Sequence, residues 1–90
     1  MPVIRIPAAF RPYADGTGDM SVSGDTVSGA LDQLLNRFPS LAQRLYRKTG
    51  TLRHHINLFV NDSNIKDLTG LDTRLQENDK LIIVISIAGG

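Results

Sequence analysis

The chain has 90 residues, of which 41% are hydrophobic and 21% charged, with a formal net charge of +1 and no cysteine. A chain of this length suits one small domain near the lower limit for an unassisted core. The missing cysteines exclude disulfides, thiolate metal sites and cysteine nucleophiles, no apolar run reaches the ~20 residues of a membrane span, and a net charge this small gives no argument for nucleic acid. Met1-Pro2-Val3-Ile4-Arg5 passes directly into strand-like alternation, without the basic leader and long apolar segment of a secretion signal, which points to a cytoplasmic protein.

Val3, Ile4 and Ile6 around Arg5 predict a first strand, whose pairing Pro7 limits because proline donates no ladder hydrogen bond. Asp15-Gly16-Thr17-Gly18 supplies a turn, and Met20 and Val22 on either side of Ser21 predict a short antiparallel second strand closed by Gly24. Val27, Ala30, Leu31, Leu34, Leu35 and Phe38 follow the spacing of one buried helical stripe. Asp25 or Thr26 can cap that helix, Gly29 weakens it, and Pro39 ends it. Residues 41–46 predict one further helical turn, and Lys48-Thr49-Gly50-Thr51 a loop.

Ile56, Leu58 and Val60 alternate with Phe59 on the opposite face, predicting a third strand over residues 56–61. A turn at Asn61-Asp62-Ser63-Asn64 leads to a short strand over 65–68, and then to a loop over 70–78 whose Leu71 and Leu75 are expected to cover the edge of the core. The last strand, from Lys80 to about Ile87, is apolar on both faces. Leu81, Ile83, Ile85 and Ile87 are expected against the helix, and Ile82, Val84, Ser86 and Ala88 on the open side. A strand of this composition belongs at the centre of a sheet, because at an edge it would invite aggregation. The order strand, strand, helix, strand, short strand, strand predicts an α+β chain of β-grasp type, a mixed sheet of four to five strands on one main helix, with the first and last strands paired centrally. Residues 1–90 read as one such domain, with residues 88–90 a flexible tail.

Five basic residues and no acidic one lie between Asp32 and Asp62 (Arg37, Arg44, Arg47, Lys48, Arg53), whereas residues 62–79 hold five acidic residues against Lys66 and Arg74. Two solvated regions of opposite sign, or a surface that steers a protein partner, both fit. Phe59, Ile82 and Val84 form either an apolar docking patch on the open sheet face or a patch covered by Tyr46 or the Leu71 loop. Arg11, expected at the end of the first strand and near the tail if the first and last strands pair, is a contact for an acidic partner or an ordinary solvated arginine. His54 and His55, as neighbours on a strand, point to opposite faces and do not share one metal ion. Ser28 and Ser86 have no visible base, and no phosphate-binding glycine loop is present, so the chain does not read as an independent enzyme. Gly89 and Gly90 have no Cβ, so this tail can enter a narrow partner site with its carboxylate leading.

Over essentially its whole length the chain resembles the ubiquitin-like sulfur carriers of the molybdopterin synthase small subunit, cysteine-biosynthesis and thiamine-pathway types. The resemblance rests on Phe10-Arg11, the Thr26-Val27 helix start with Phe38-Pro39 at its end, and Leu58-Phe59-Val60-Asn61-Asp62 with Ile65. It continues through Leu68-Thr69-Gly70-Leu71-Asp72-Thr73 and Asn78-Asp79 to Ala88-Gly89-Gly90. Gly70-Leu71-Asp72-Thr73 with Leu52-Arg53 is most similar to the cysteine-biosynthesis carriers and the general molybdopterin-carrier-like group. The resemblance implies that a separate adenylating enzyme of the ubiquitin-activating type joins Gly90 to AMP, and that a sulfur donor then converts it to a thiocarboxylate. It implies use of ATP and the sulfur donor through that partner, with no bound cofactor or metal, and a downstream acceptor of the cysteine synthase or molybdopterin synthase large-subunit type. In that reading Gly90 is the reactive end, Gly89 the narrow tail, and Phe59, Ile82, Val84, Ala88 and Arg11 the partner contacts, with neither nucleic acid nor membrane involved. The alternatives are a protein modifier joined to lysine through Gly90, and a noncatalytic binding module taking RNA through the Arg44 to Arg53 region, which has only Tyr46 as an aromatic.

Overall fold

The computed structural model describes residues 1–86. Five strands form one sheet in the order β2-β1-β5-β3-β4: β1 (Val3–Arg5), β2 (Asp19–Ser21), β3 (Ile56–Val60), β4 (Ser63–Asn64) and β5 (Lys80–Ile85). The two most apolar strands therefore hold the interior positions. β5 pairs parallel with β1 (Ile4 opposite Leu81) and antiparallel with β3 (Leu58 opposite Ile83), while the edges go to strands of three and two residues, too short to template pairing with another chain.

Helix α1 (Val27–Arg37) covers one face of the sheet. Thr26, in extended conformation, accepts a hydrogen bond from the Gly29 N–H at 3.1 Å and so satisfies one of the unpaired donors of the first turn. The helix start is also tied to the loop before β5, since the Val27 amide donates to the Thr73 carbonyl and the Leu75 amide to that of Asp25. Val27, Ala30, Leu31, Leu34 and Phe38 are buried against Ile4, Ile6, Ile56, Leu58, Leu81 and Ile83, with Leu35 only partly buried at the margin. Alternation in β5 matches expectation: Leu81 and Ile83 are buried, Ile82 half-buried, and Lys80, Val84 and Ser86 exposed.

Three local departures have identifiable causes. Between β1 and β2 the chain forms a 3-10 helix, Ala8–Ala14, whose Phe10 and Ala14 close one end of the core, instead of a plain hairpin tip. Arg11 lies on this helix and not at the strand end. The short strand expected over 65–68 is displaced to Ser63–Asn64, because the Asn64 side chain accepts from the Lys66 amide at 2.9 Å and caps a 3-10 turn, Ile65–Asp67. Leu71 does not cover the core. Gly70, at φ +61, opens a 3-10 turn that points Leu71 to solvent, while Leu75 and Thr73 are buried. A short helix α2 (Ala42–Leu45) completes the helical layer and buries Leu45.

Candidate functional site

The pairing pattern brings three parts of the chain to one end of the sheet. Because β1 runs parallel to β5, both strands finish at the same end, and because β3 runs antiparallel, it begins there. Ile56 faces Ile85 in the ladder, and one step further the Ser86 amide donates to the His55 carbonyl at 2.7 Å. The backbone thus leaves β5 between the segment that precedes β3 and the Ala8–Ala14 helix that follows β1. Arg11 is held at this end by its Nε, which donates to the Ile6 carbonyl at 3.1 Å. Ile87, expected on the helix side of the last strand, and Ala88, Gly89 and Gly90 lie outside the described residues.

The face of the sheet away from α1 carries an apolar centre in a polar frame. One row across it reads Asp19, Arg5, Ile82, Phe59, Asn64. Arg5 and Asp19 pair at 3.3 Å. Phe59 and Ile82 are half-buried and Val84 is 36% exposed. Neither proposed cover reaches them. Tyr46 packs against the core on the helix side, where burial and then the charge of Asp32 on α1 push its phenol above the ordinary value, and the turn holding Leu71 lies beside α1.

The basic stretch folds into a surface around α2. Arg44 donates from Nη2 to the Tyr13 hydroxyl at 2.7 Å, with its guanidinium 4.2 Å from the ring centroid. Arg53 donates from Nε to the Gln43 carbonyl at 2.9 Å, and Arg47 lies 3.3 Å from Nε2 of His54. A concavity of about 570 Å³ opens between Ala42, Gln43, Tyr46, Arg47, Lys48 and Arg53, and Phe10, Gln43, Arg44, Arg53 and His55 line a second. His54 and His55 precede β3 instead of standing on it, so their separation follows from the turn that holds them. Among the described residues no three His, Asp or Glu side chains could hold a metal ion, and no helix is long and apolar enough to cross a membrane. The acid-free run between Asp32 and Asp62 signalled this surface. Nothing in the sequence signalled that Tyr13, 31 positions before Arg44, would join it.

A five-stranded mixed sheet with a parallel central pair, one helix across one face and a last strand at its centre is the ubiquitin-like β-grasp architecture. The chain belongs to the ThiS family, whose model matches residues 4–90. It is 30% identical over 89 residues to Sulfur carrier protein CysO of Mycobacterium tuberculosis, covering 97% of this chain and 96% of that protein. Among solved structures it superposes on one chain of the Amycolatopsis orientalis BexX/CysO complex with a TM-score of 0.88 at 28% identity, covering 100% of this chain and 100% of that one. It superposes on small archaeal modifier protein 1 of Methanosarcina acetivorans with a TM-score of 0.87 at 29% identity, covering 99% of this chain and 95% of that one.

Proposed function

We propose that this chain is a sulfur carrier of the CysO type, not a catalyst, acting through a thiocarboxylate on Gly90 and delivering sulfur to cysteine biosynthesis ahead of molybdopterin synthesis. The observation that carries this reading is that the family match extends to Gly90 while the chain aligns over 97% of its length with a protein named as a sulfur carrier.

A backbone carboxylate with a pKa of about 3.5 is ionised at neutral pH and resists nucleophilic attack until one oxygen becomes a leaving group. An adenylating partner bonds a Gly90 carboxylate oxygen to the α-phosphorus of ATP and releases pyrophosphate. Hydrosulfide then attacks the carbonyl carbon, the carbon to phosphoryl-oxygen bond breaks, and AMP leaves. The product is the thiocarboxylate, formed with no change of oxidation state when the donor supplies sulfide. Glycine at 89 and 90 leaves the tail no wider than its backbone, so that it can pass a narrow channel. Phe59, Ile82 and Val84, with Ala88 and Arg11, supply contacts for the activating enzyme and for the downstream acceptor. That a CysO is found in complex with BexX supports partner docking by chains of this shape.

ATP–pyrophosphate exchange tests the first step: an adenylating enzyme that exchanges label into ATP only when this chain is present, and not when Gly90 is deleted, upholds the reading. Exchange that survives the deletion sinks it. The likeness to a protein named as a modifier favours a second reading, in which Gly90 ends in an isopeptide bond to lysine. Lysine-linked adducts of this chain in cells, with no thiocarboxylate, would select it.

A further inference from the structure

We propose that the guanidinium-rich surface beside the end of β5, built on Arg44 and Arg53 and extended by Arg47 and Lys48, docks an acidic rim on the protein that receives residues 87–90. The proposal rests on the carrier reading only in requiring that a partner reach Gly90.

Connectivity makes the contact hard to avoid. Gly90 is the fourth residue after Ser86, a span of at most about 14 Å when fully extended. A partner whose channel reaches the Gly90 carboxyl therefore brings the mouth of that channel against the end of the sheet where β5 finishes. That end is bordered by His55, which accepts from the Ser86 amide, and His55 shares a concavity with Phe10, Arg44 and Arg53. The basic surface and the start of the tail are thus neighbours.

The cations there are positioned without being neutralised. Arg5 with Asp19 is the only ion pair among the described residues. Arg44 is oriented by a phenol, Arg53 by a backbone carbonyl and Arg47 by an imidazole, none of them a carboxylate. A guanidinium not paired with a carboxylate keeps several N–H donors for one, in a geometry already partly fixed. Lining residues of the neighbouring concavity add Lys48 and no acid.

Carboxylates fit this surface better than nucleic acid. Single strands are held by bases stacking on open aromatic faces. Here one face of Tyr13 is covered by Arg44 and Tyr46 is partly buried against the core, so neither ring offers the basic surface a fully open stacking face.

The test uses an enzyme that adenylates the wild-type chain and compares it with Arg44→Gln/Arg53→Gln and with Arg44→Lys/Arg53→Lys. The Gln pair should raise KM for the carrier by about 5- to 10-fold with kcat unchanged, because rim charges act on encounter and docking. Added salt should raise KM for the wild type and much less for the Gln pair, and the Lys pair should recover at least half of the loss. An unchanged thermal midpoint keeps the comparison free of folding effects. Unaltered KM and salt dependence in the Gln pair would overturn the docking proposal while leaving the carrier reading intact. No turnover of the wild type by any adenylating enzyme would remove the carrier reading and the docking role with it. Binding of a uridine octamer that the Gln pair abolishes, with KM unmoved, would reassign the surface to nucleic acid.

Discussion

Phe59 and Ile82 are directly opposite one another in the β3–β5 ladder, both half-buried, on the face of the sheet that α1 does not cover. An apolar pair across the two most central antiparallel strands, with Val84 two residues further along at 36% exposure, leaves hydrophobic surface where the fold does not require it. Val84→Lys separates the two possible roles of this patch. Its stability cost should stay within about 0.5 kcal/mol, as for an exposed position, while KM for adenylation rises by about 10-fold if the patch is a docking surface. Denaturant midpoints beside adenylation kinetics check it, and an unchanged KM would remove Val84 from the interface.

Gly24 and Gly29 should respond in opposite directions to the same substitution. A Cβ on Gly24 would stand 2.7 Å from the Ala30 nitrogen and 2.8 Å from the Gly29 carbonyl carbon, both backbone atoms that cannot swing aside. Gly24→Ala should therefore destabilise by about 1–3 kcal/mol. On Gly29 the nearest atom would be the Thr26 hydroxyl oxygen at 3.4 Å, an ordinary contact, so Gly29→Ala should gain about 0.5–1 kcal/mol from helix propensity. Urea unfolding of the two variants reads both signs.

Tyr46 links the fold to alkaline pH. Burial first, and then Asp32, raise its phenol above the usual 10.0. Between that value and the folded one, the unfolded chain has lost the proton and the folded chain still holds it, so folding is less favourable as pH rises. The neutral phenol's contribution is complete below about pH 10 and is lost as pH climbs through the folded value. Thermal midpoints should fall less steeply above about pH 10 in Tyr46→Phe than in the wild type. Parallel curves would show that Tyr46 is not the responsible group.

Gly89→Ala should leave thermal stability unchanged and depress thiocarboxylate formation by about 10-fold or more, because a methyl group widens a chain that must lie in a narrow channel. Intact mass after incubation with ATP, sulfide and the activating enzyme measures the yield. Undiminished yield would show that the channel tolerates a Cβ.

Much of this architecture was legible because periodicity reports burial directly. The stripe from Val27 to Phe38 gave α1, and the two-faced apolarity of residues 81–85 placed β5 at the centre of the sheet. Segments where side-chain hydrogen bonds override propensity were not legible. Asn64 turned an expected strand into a 3-10 turn, and the positive φ of Gly70 sent Leu71 to solvent. The Ala8–Ala14 helix is only seven residues long and contains Pro12, too short to show a helical stripe, so its role in covering the core came only from tertiary packing. For the candidate site, the open-face patch followed from strand parity, and the basic run was visible as charge. Its convergence on the end of β5 depends on the parallel pairing of β1 with β5 and on contacts such as Tyr13 with Arg44, which no local pattern encodes.

The central claim is that Gly90 becomes a thiocarboxylate. The most direct measurement is the intact mass of the chain, with the C-terminal peptide sequenced, before and after incubation with ATP, sulfide and an adenylating enzyme active on it. The account predicts a gain of about 16 Da, sulfur in place of one oxygen, confined to the peptide ending in Gly90. An unchanged mass with an enzyme shown to form the Gly90 adenylate would contradict it and leave the modifier reading in its place.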